Sequence, residues 1–250
     1  MIFYYGLTDN DGKFTWMNLA KITTPENIKA LGLALLLAFV STVICLILAY
    51  PLAMILAGRN VNQSSFVVLV FILPMWMNFL LRTIAWMSLL EDQGLINSML
   101  RALGIGGVKL MYNDGAVLLG MVYNFIPFMI LQINTSLCKM DHSLLEASAD
   151  LGANKVQTFL RVTFPLSLSG VISGIALVFL PAVSSFFIPK LLGGGQFFLI
   201  GNVIENQFIT VGEWNFGSAI SMIMAVIMML CMYLIRRVDE HNSGGRKKKA

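Results

Sequence analysis

The stretch that decides the fold runs from Ala30 to Ala57 and reads ALGLALLLAFVSTVICLILAYPLAMILA, without one charged side chain. The hydrocarbon core of a bilayer is about 30 Å thick, so a helix needs about 20 consecutive apolar residues to cross it. Because this stretch exceeds that length, we predict that it forms a transmembrane helix.

Four more long apolar stretches follow, of which one contains a charge, Arg82. They run from Ser65 to Leu90, from Ala116 to Leu137, from Leu166 to Pro189 and from Phe216 to Ile235. Hydrophobic residues make up 57% of the chain and charged residues 12%, against about a quarter charged in soluble domains. The sequence therefore excludes a soluble fold and predicts an all-α, polytopic transmembrane helical bundle with five spans.

The connection between the fourth and fifth stretches, from Leu191 to Gly212, is apolar but interrupted. Gly193, Gly194 and Gly195 break it, and Glu205 adds a charge. We expect this segment to be re-entrant or interfacial and not a full span.

Basic residues predict the orientation, because Lys and Arg next to spans are retained on the cytoplasmic side. Six of them follow the last span, within residues 236–249. The prediction is a basic cytoplasmic tail at 238–250, a transmembrane domain at 30–237 with a cytoplasmic loop at 138–165, and an extracytoplasmic head at 1–29. Because the residues that follow the last span, 236–250, account for the net charge of +4, we expect no nucleic acid partner and membrane lipid as the surroundings.

Several classes of function lack the residues that they need. No GxxxxGK[ST] phosphate loop occurs, so we expect no nucleotide bound by that motif. The spans contain no Asp or Glu, which argues against a proton- or sodium-coupled carrier. No catalytic constellation and no metal-ligand spacing is present, so the sequence predicts a transport protein without catalytic residues, cofactor or metal, with a stand-alone carrier as the weaker alternative.

Two features inside the spans leave alternatives open. Arg82 either snorkels to the outer interface, which we expect, or lines a pore. Pro74, Pro127 and Pro181 each remove a backbone hydrogen bond. They indicate either a bundle that changes shape around a pathway or the ordinary enrichment of proline in membrane helices.

The loop from Asp141 to Pro165 reads DHSLLEASADLGANKVQTFLRVTFP and is neither apolar nor featureless. Ser143 and Glu146 fit a capping box that would start a helix, and Gly152 would end it. A second short amphipathic helix is predicted around Val156 and Leu160. By pattern alone, this helix, glycine, helix segment either binds a partner protein or lies on the membrane interface.

The same loop resembles the EAA signature of permease subunits of binding-protein-dependent ABC importers. Glu146, Ala147, Gly152 and Pro165 occupy the expected positions. Three positions depart from the signature, with Ser148 for alanine, Val162 for isoleucine and Phe164 for leucine. Other segments, such as NFLLRTIAW at 78–86 and IGNVIENQF at 200–208, are similar to the B-type permeases of spermidine/putrescine importers.

This resemblance implies a type I ABC importer permease fold in the bacterial inner membrane. It implies three partners: a cytoplasmic ATPase dimer that binds ATP and Mg, a second permease subunit, and an extracytoplasmic polyamine-binding protein. The residues that it assigns to the ATPase-coupling loop are Glu146, Ala147, Ser148, Asp150, Leu151, Gly152, Ala153, Lys155 and Pro165. Permeases for thiamine, iron or an oxyanion would share this loop, so the substrate stays open.

The family has six spans where this sequence has five, and Met1 falls where the first external loop of the family would be. We therefore expect the first span to be missing from this chain. A polycation needs carboxylates and aromatic faces along its path, although aromatic residues are common at any membrane interface. Candidate pathway residues are Trp86, Glu91, Asp92, Tyr123, Phe187 and Glu205.

Overall fold

The structure is a computed structural model that describes residues 1–9, 12–58, 73, 75–104, 106–141, 143–195 and 198–247. Within these ranges the chain is helical, and the one β-type pairing is an isolated bridge between Thr8 and Phe14. The predicted all-α fold is confirmed.

Twelve α-helices, numbered in chain order, make up the described part of the chain. They are α1 Ile2–Leu7, α2 Met17–Ile22, α3 Pro25–Ala57, α4 Phe79–Leu90, α5 Leu95–Ala102, α6 Asp114–Cys138, α7 Ser143–Asp150, α8 Lys155–Thr158, α9 Phe164–Ser184, α10 Phe187–Leu192, α11 Ile200–Asn206 and α12 Trp214–Lys247. Two π-helical turns, Phe159–Thr163 and Gln207–Val211, continue α8 and α11.

Four helical segments are long and apolar enough to cross a membrane: Pro25–Ala57, Asp114–Cys138, Lys155–Ser184 and Trp214–Asp239. They coincide with four of the five predicted spans. Of the other predicted span, 65–90, residues 65–72 and Pro74 lie outside the described residues, and its end forms α4. The first span starts at Pro25, five residues before the predicted start, because Pro25 and Glu26 suit a first helical turn.

The fourth span ends at Ser184 and not at Pro189 as predicted. The chain leaves the helix at Ser185 and Phe186 and then starts α10. The side-chain amide of Asn202 donates a hydrogen bond of 3.0 Å to the Phe186 carbonyl, which also accepts the Lys190 N–H of α10 at 3.1 Å, so Asn202 ties α11 to the start of α10. The segment predicted as re-entrant or interfacial, Leu191 to Gly212, contains the end of α10, the whole of α11 and the π-helical turn that follows it.

Contacts divide the chain into two compact units. The first contains Met1–Ser41, Met77–Asn124 and Phe179–Leu230, and the second contains Thr42–Trp76, Phe125–Val178 and Cys231–Ala250. In the first unit, α10 packs on α4, and Ile188 and Leu192 are fully buried. A Cβ atom added to Gly120 on α6 would lie 2.4 Å from the Leu192 side chain on α10, so a residue without a side chain lets α6 and α10 approach closely.

The second unit is organised around Tyr50. Its hydroxyl is 2.6 Å from the Ser167 hydroxyl, and its ring meets Phe159 edge-on at 5.5 Å. Close helix contacts in membranes rely on small residues. Gly170 follows this rule, since an added Cβ would lie 2.4 Å from Ser136 Cβ and 2.7 Å from the Gln132 carbonyl oxygen.

Gly170→Ala is expected to destabilise the protein by about 1–3 kcal/mol, because the new methyl group meets backbone that cannot move aside. Gly32→Ala is the matched control, since a Cβ at this position has nothing within 4 Å. Heating the detergent-solubilised protein and measuring the monodisperse fraction by size exclusion tests this. Equal midpoints for the two variants would contradict the close contact at Gly170.

Candidate functional site

The helix α7 begins at Ser143, as predicted, but a different residue caps it. The backbone N–H of Ser143 donates a 3.0 Å hydrogen bond to Asp141 Oδ1, and no bond between Ser143 and Glu146 is present among the described residues. The predicted capping box is therefore wrong. Asp141 precedes Ser143 by two residues, the spacing of an Asx turn, and its carboxylate is also the better partner for the positive end of the helix.

The end of α7 is a Schellman motif centred on Gly152. The N–H of Gly152 bonds the Ala149 carbonyl at 2.8 Å, and the N–H of Ala153 bonds the Ser148 carbonyl at 3.1 Å. Gly152 has a φ of 76°, the left-handed conformation that glycine adopts without strain. The prediction that Gly152 ends the helix is confirmed.

The capping box of this loop lies on α8. The Gln157 N–H donates to Asn154 Oδ1 at 2.9 Å, and the Asn154 N–H donates to Gln157 Oε1 at 3.0 Å. The spacing N-x-x-Q would have identified it in the sequence. The predicted second helix is present, but it continues through a π-helical turn into α9, so that Lys155–Ser184 is one helical rod.

Ser148 connects the two helices of the loop. Its side chain is buried, and its hydroxyl lies 2.9 Å from the Thr158 hydroxyl on α8 and bonds the Leu145 carbonyl at 2.9 Å. The resemblance places alanine at this position, which has no hydroxyl to offer. The departure from the signature therefore adds a hydrogen bond that holds α7 and α8 together.

Three apolar side chains of the loop face away from the protein. Leu151 is 88% exposed, Val156 65% and Leu160 58%; we call these three residues the coupling surface. Val156 and Leu160 are four residues apart on one helical rod, so they share a face. On α7, Ser148 is buried and Leu145 half-buried, while Leu144 is exposed.

The remaining predicted loop residues surround this surface. Most of their side chains are exposed, and Ala153 is half-buried: Glu146, Ala147, Asp150, Gly152, Ala153, Lys155 and Pro165. The loop therefore presents acidic, basic and apolar groups together, on a support fixed by two caps and one cross-bond. Such a surface has the chemistry of a protein docking site.

The six predicted pathway residues all belong to the first unit but do not share one cavity. Trp86 meets Tyr123 edge-on at 5.2 Å, while Phe187 stacks against Phe186 at 4.2 Å. The exposed Glu91 and Asp92 line a cavity of about 290 Å³, together with Lys109, Met111 and Tyr112. Glu205 instead forms an ion pair with Lys190.

Arg82 does not snorkel, and that prediction is wrong. Its side chain is 7% exposed, and neither Nε nor Nη1 has a hydrogen-bond partner. Arg82 lies on α4 one helical turn before Trp86, whose ring contacts Tyr123. The Arg82 side chain is thus almost entirely buried within the protein.

Known proteins resemble this chain in sequence and in fold. Residues 49–242 match the protein family described as "Binding-protein-dependent transport system inner membrane component". The spermidine/putrescine transport system permease protein PotB of Escherichia coli (strain K12) is 37% identical over 93% of this chain and 87% of its own length. PotB of Salmonella typhimurium (strain SL1344) is 36% identical over 93% and 84%.

A solved structure has the same fold at low sequence identity. A bacterial ABC transporter involved in the import of the acidic polysaccharide alginate aligns with a TM-score of 0.81 and 14% identity, over 95% of this chain and 87% of that chain. This confirms the predicted type I ABC importer permease fold.

Ser148→Ala is expected to loosen the loop, because it removes a hydrogen bond worth about 1 kcal/mol, equivalent to about fivefold faster opening. Thr158→Val should have the same effect, and the double variant no further effect. Hydrogen–deuterium exchange of residues 143–158 measures it. Ser143→Ala is the control, and additive effects of Ser148→Ala and Thr158→Val would disprove the cross-bond.

Proposed function

This chain belongs to the binding-protein-dependent transport system inner membrane components, and from that membership we propose that it is the permease subunit of an ATP-driven polyamine importer. It forms part of the translocation pathway in the bacterial inner membrane. It carries out no covalent chemistry, and a separate ATPase subunit binds ATP and Mg and hydrolyses the nucleotide.

The loop from Asp141 to Pro165 is the proposed contact with the ATPase. Its support is the coupling surface, three exposed apolar side chains on a polar loop that two helix caps and the Ser148–Thr158 bond keep rigid. Because α8 and α9 form one helical rod, movement of Val156 and Leu160 is transmitted along the rod. The loop thus acts as a lever between nucleotide binding and the pathway.

The substrate class is proposed from the relatives. Proteins that are 36–37% identical over 93% of this chain are permeases of spermidine/putrescine transport systems. The similarity covers the helices outside the coupling loop as well, where a substrate would pass. An extracytoplasmic polyamine-binding protein and a second permease subunit complete the proposed assembly, with the C-terminal tail of this chain in the cytoplasm.

Co-purification and uptake together test this function. The tagged chain, isolated from its native membrane, is expected to bring down an ATPase and a second permease, and the reconstituted complex to take up labelled spermidine when ATP is supplied. Putrescine should compete, while thiamine and ferric iron should not. Transport by the isolated chain without ATP would contradict the proposed function. Competition by thiamine or ferric iron, but not by putrescine, would contradict the proposed substrate class.

Leu151→Asp is expected to lower ATP-driven uptake about tenfold, since a charge at the coupling surface weakens a docked interface by at least ~1.4 kcal/mol. Leu103→Asp is the matched control, because Leu103 is 73% exposed at the end of α5 and outside the loop. The amount of each variant in the membrane is measured by immunoblot. Uptake equally reduced in both variants, or unchanged by Leu151→Asp, would exclude the coupling role.

A further inference from the structure

The ion pair between Lys190 on α10 and Glu205 on α11 joins two unequal partners. The Glu205 side chain is 16% exposed, whereas the Lys190 side chain is 52% exposed. The Glu205 carboxylate is therefore largely buried, while the Lys190 ammonium group reaches it from the surface on a flexible alkyl chain.

Glu205 also lines a cavity of about 390 Å³ in the first unit, within the range of small-molecule sites. Most of the lining is apolar or aromatic, including Phe186, Ile204, Phe208 and Met224. Glu205 is the one charged residue in this lining. The cavity thus combines a single carboxylate with walls suited to methylene groups and, through the aromatic faces, to cations.

The position of Glu205 is fixed by backbone contacts. A Cβ added to Gly201, one turn before Glu205, would lie 3.0 Å from the Ser184 carbonyl oxygen and 3.2 Å from Phe186 Cβ. The Asn202 amide holds the Phe186 carbonyl at 3.0 Å. Because α11 is clamped against the end of α9 in this way, Glu205 stays at the cavity whether or not Lys190 is bound to it.

The lysine side chain is an alkyl chain that ends in a primary ammonium group, which is also the chemistry of one end of a polyamine. We propose that Glu205 is an exchange site, at which an ammonium group of the substrate replaces Lys190 on the carboxylate while the substrate's methylene groups lie along the apolar wall. This inference rests on the proposed function and assigns its substrate site.

An exchange of this kind suits transport because it limits the binding strength. One ammonium–carboxylate pair replaces another, and the displaced Lys190, already half-exposed, regains its hydration. Lys190 is a tethered competitor with a high effective concentration at Glu205. It can expel the substrate again, and a transport path requires sites that are weak enough to release what they bind.

Direct binding separates this role from a structural one. Labelled spermidine is titrated onto the assembled permease and ATPase complex in nanodiscs, with a non-hydrolysable ATP analogue and without the binding protein. Glu205→Gln should raise the Kd at least about tenfold, since it removes a charge-assisted hydrogen bond. Lys190→Met should lower the Kd about tenfold, since it removes the competitor but keeps the alkyl chain.

Three further variants complete the test. The double variant Glu205→Gln with Lys190→Met should bind spermidine as weakly as Glu205→Gln alone. Glu213 is an exposed carboxylate outside the cavity, so Glu213→Gln should leave the Kd unchanged. Lys190→Arg keeps the ion pair, and hence the link between α10 and α11. It should raise the Kd several-fold, because a guanidinium holds a carboxylate with two N–H groups.

Kd values that move in the same direction for Glu205→Gln and Lys190→Met, or that stay unchanged for both, would overturn the exchange site. If spermidine uptake by the wild-type complex is normal in that case, the proposed function stands and the exchange site alone falls. If the wild-type complex neither binds nor transports spermidine, the proposed function falls with it.

Discussion

The constraint on which this structure depends is that a bilayer offers no hydrogen-bond partners to the backbone. A helix satisfies its own N–H and C=O groups, and an interruption leaves groups that something else must satisfy. In this chain specific side chains bond the backbone where short helices begin. At the end of the fourth span, Asn202 bonds the Phe186 carbonyl, which also accepts the Lys190 N–H of α10. In the loop predicted to be cytoplasmic, Asn154 and Gln157 bond each other's N–H groups at the start of α8. The functional candidates lie beside these two helix starts: Glu205 beside the first and the coupling surface beside the second.

The same constraint explains how much the sequence alone could predict. The long helices could be predicted from the sequence because the bilayer thickness converts directly into a length of apolar residues. The helix end at Gly152 could be predicted because a left-handed helix end favours one residue type. The loop was assigned to ATPase coupling by its resemblance to a known signature, which its amphipathic pattern alone did not distinguish from an interfacial helix.

Features that depend on contacts between residues distant in the sequence could not be predicted from it. The end of α9 at Ser184 goes with a hydrogen bond from Asn202, sixteen residues beyond Phe186. Asp141 caps α7 in place of Ser143, a choice between two good capping residues two positions apart. Arg82 was expected at an interface and is buried, which depends on tertiary packing that the local sequence does not show. The Ser148–Thr158 bond likewise needs both helices in place before it exists.

The π-helical turn at Phe159–Thr163 determines how the start of the helical rod is oriented relative to α9. A π-turn accommodates one residue more than the α-helix it interrupts, so it shifts the angular phase of everything before it by about 100° relative to the rod behind it. The direction in which Val156 points relative to α9 is thus set by the number of residues in the turn. Deletion of one residue after Leu160 in this turn would keep Leu151, Val156 and Leu160 in the sequence but rotate the start of the rod relative to α9.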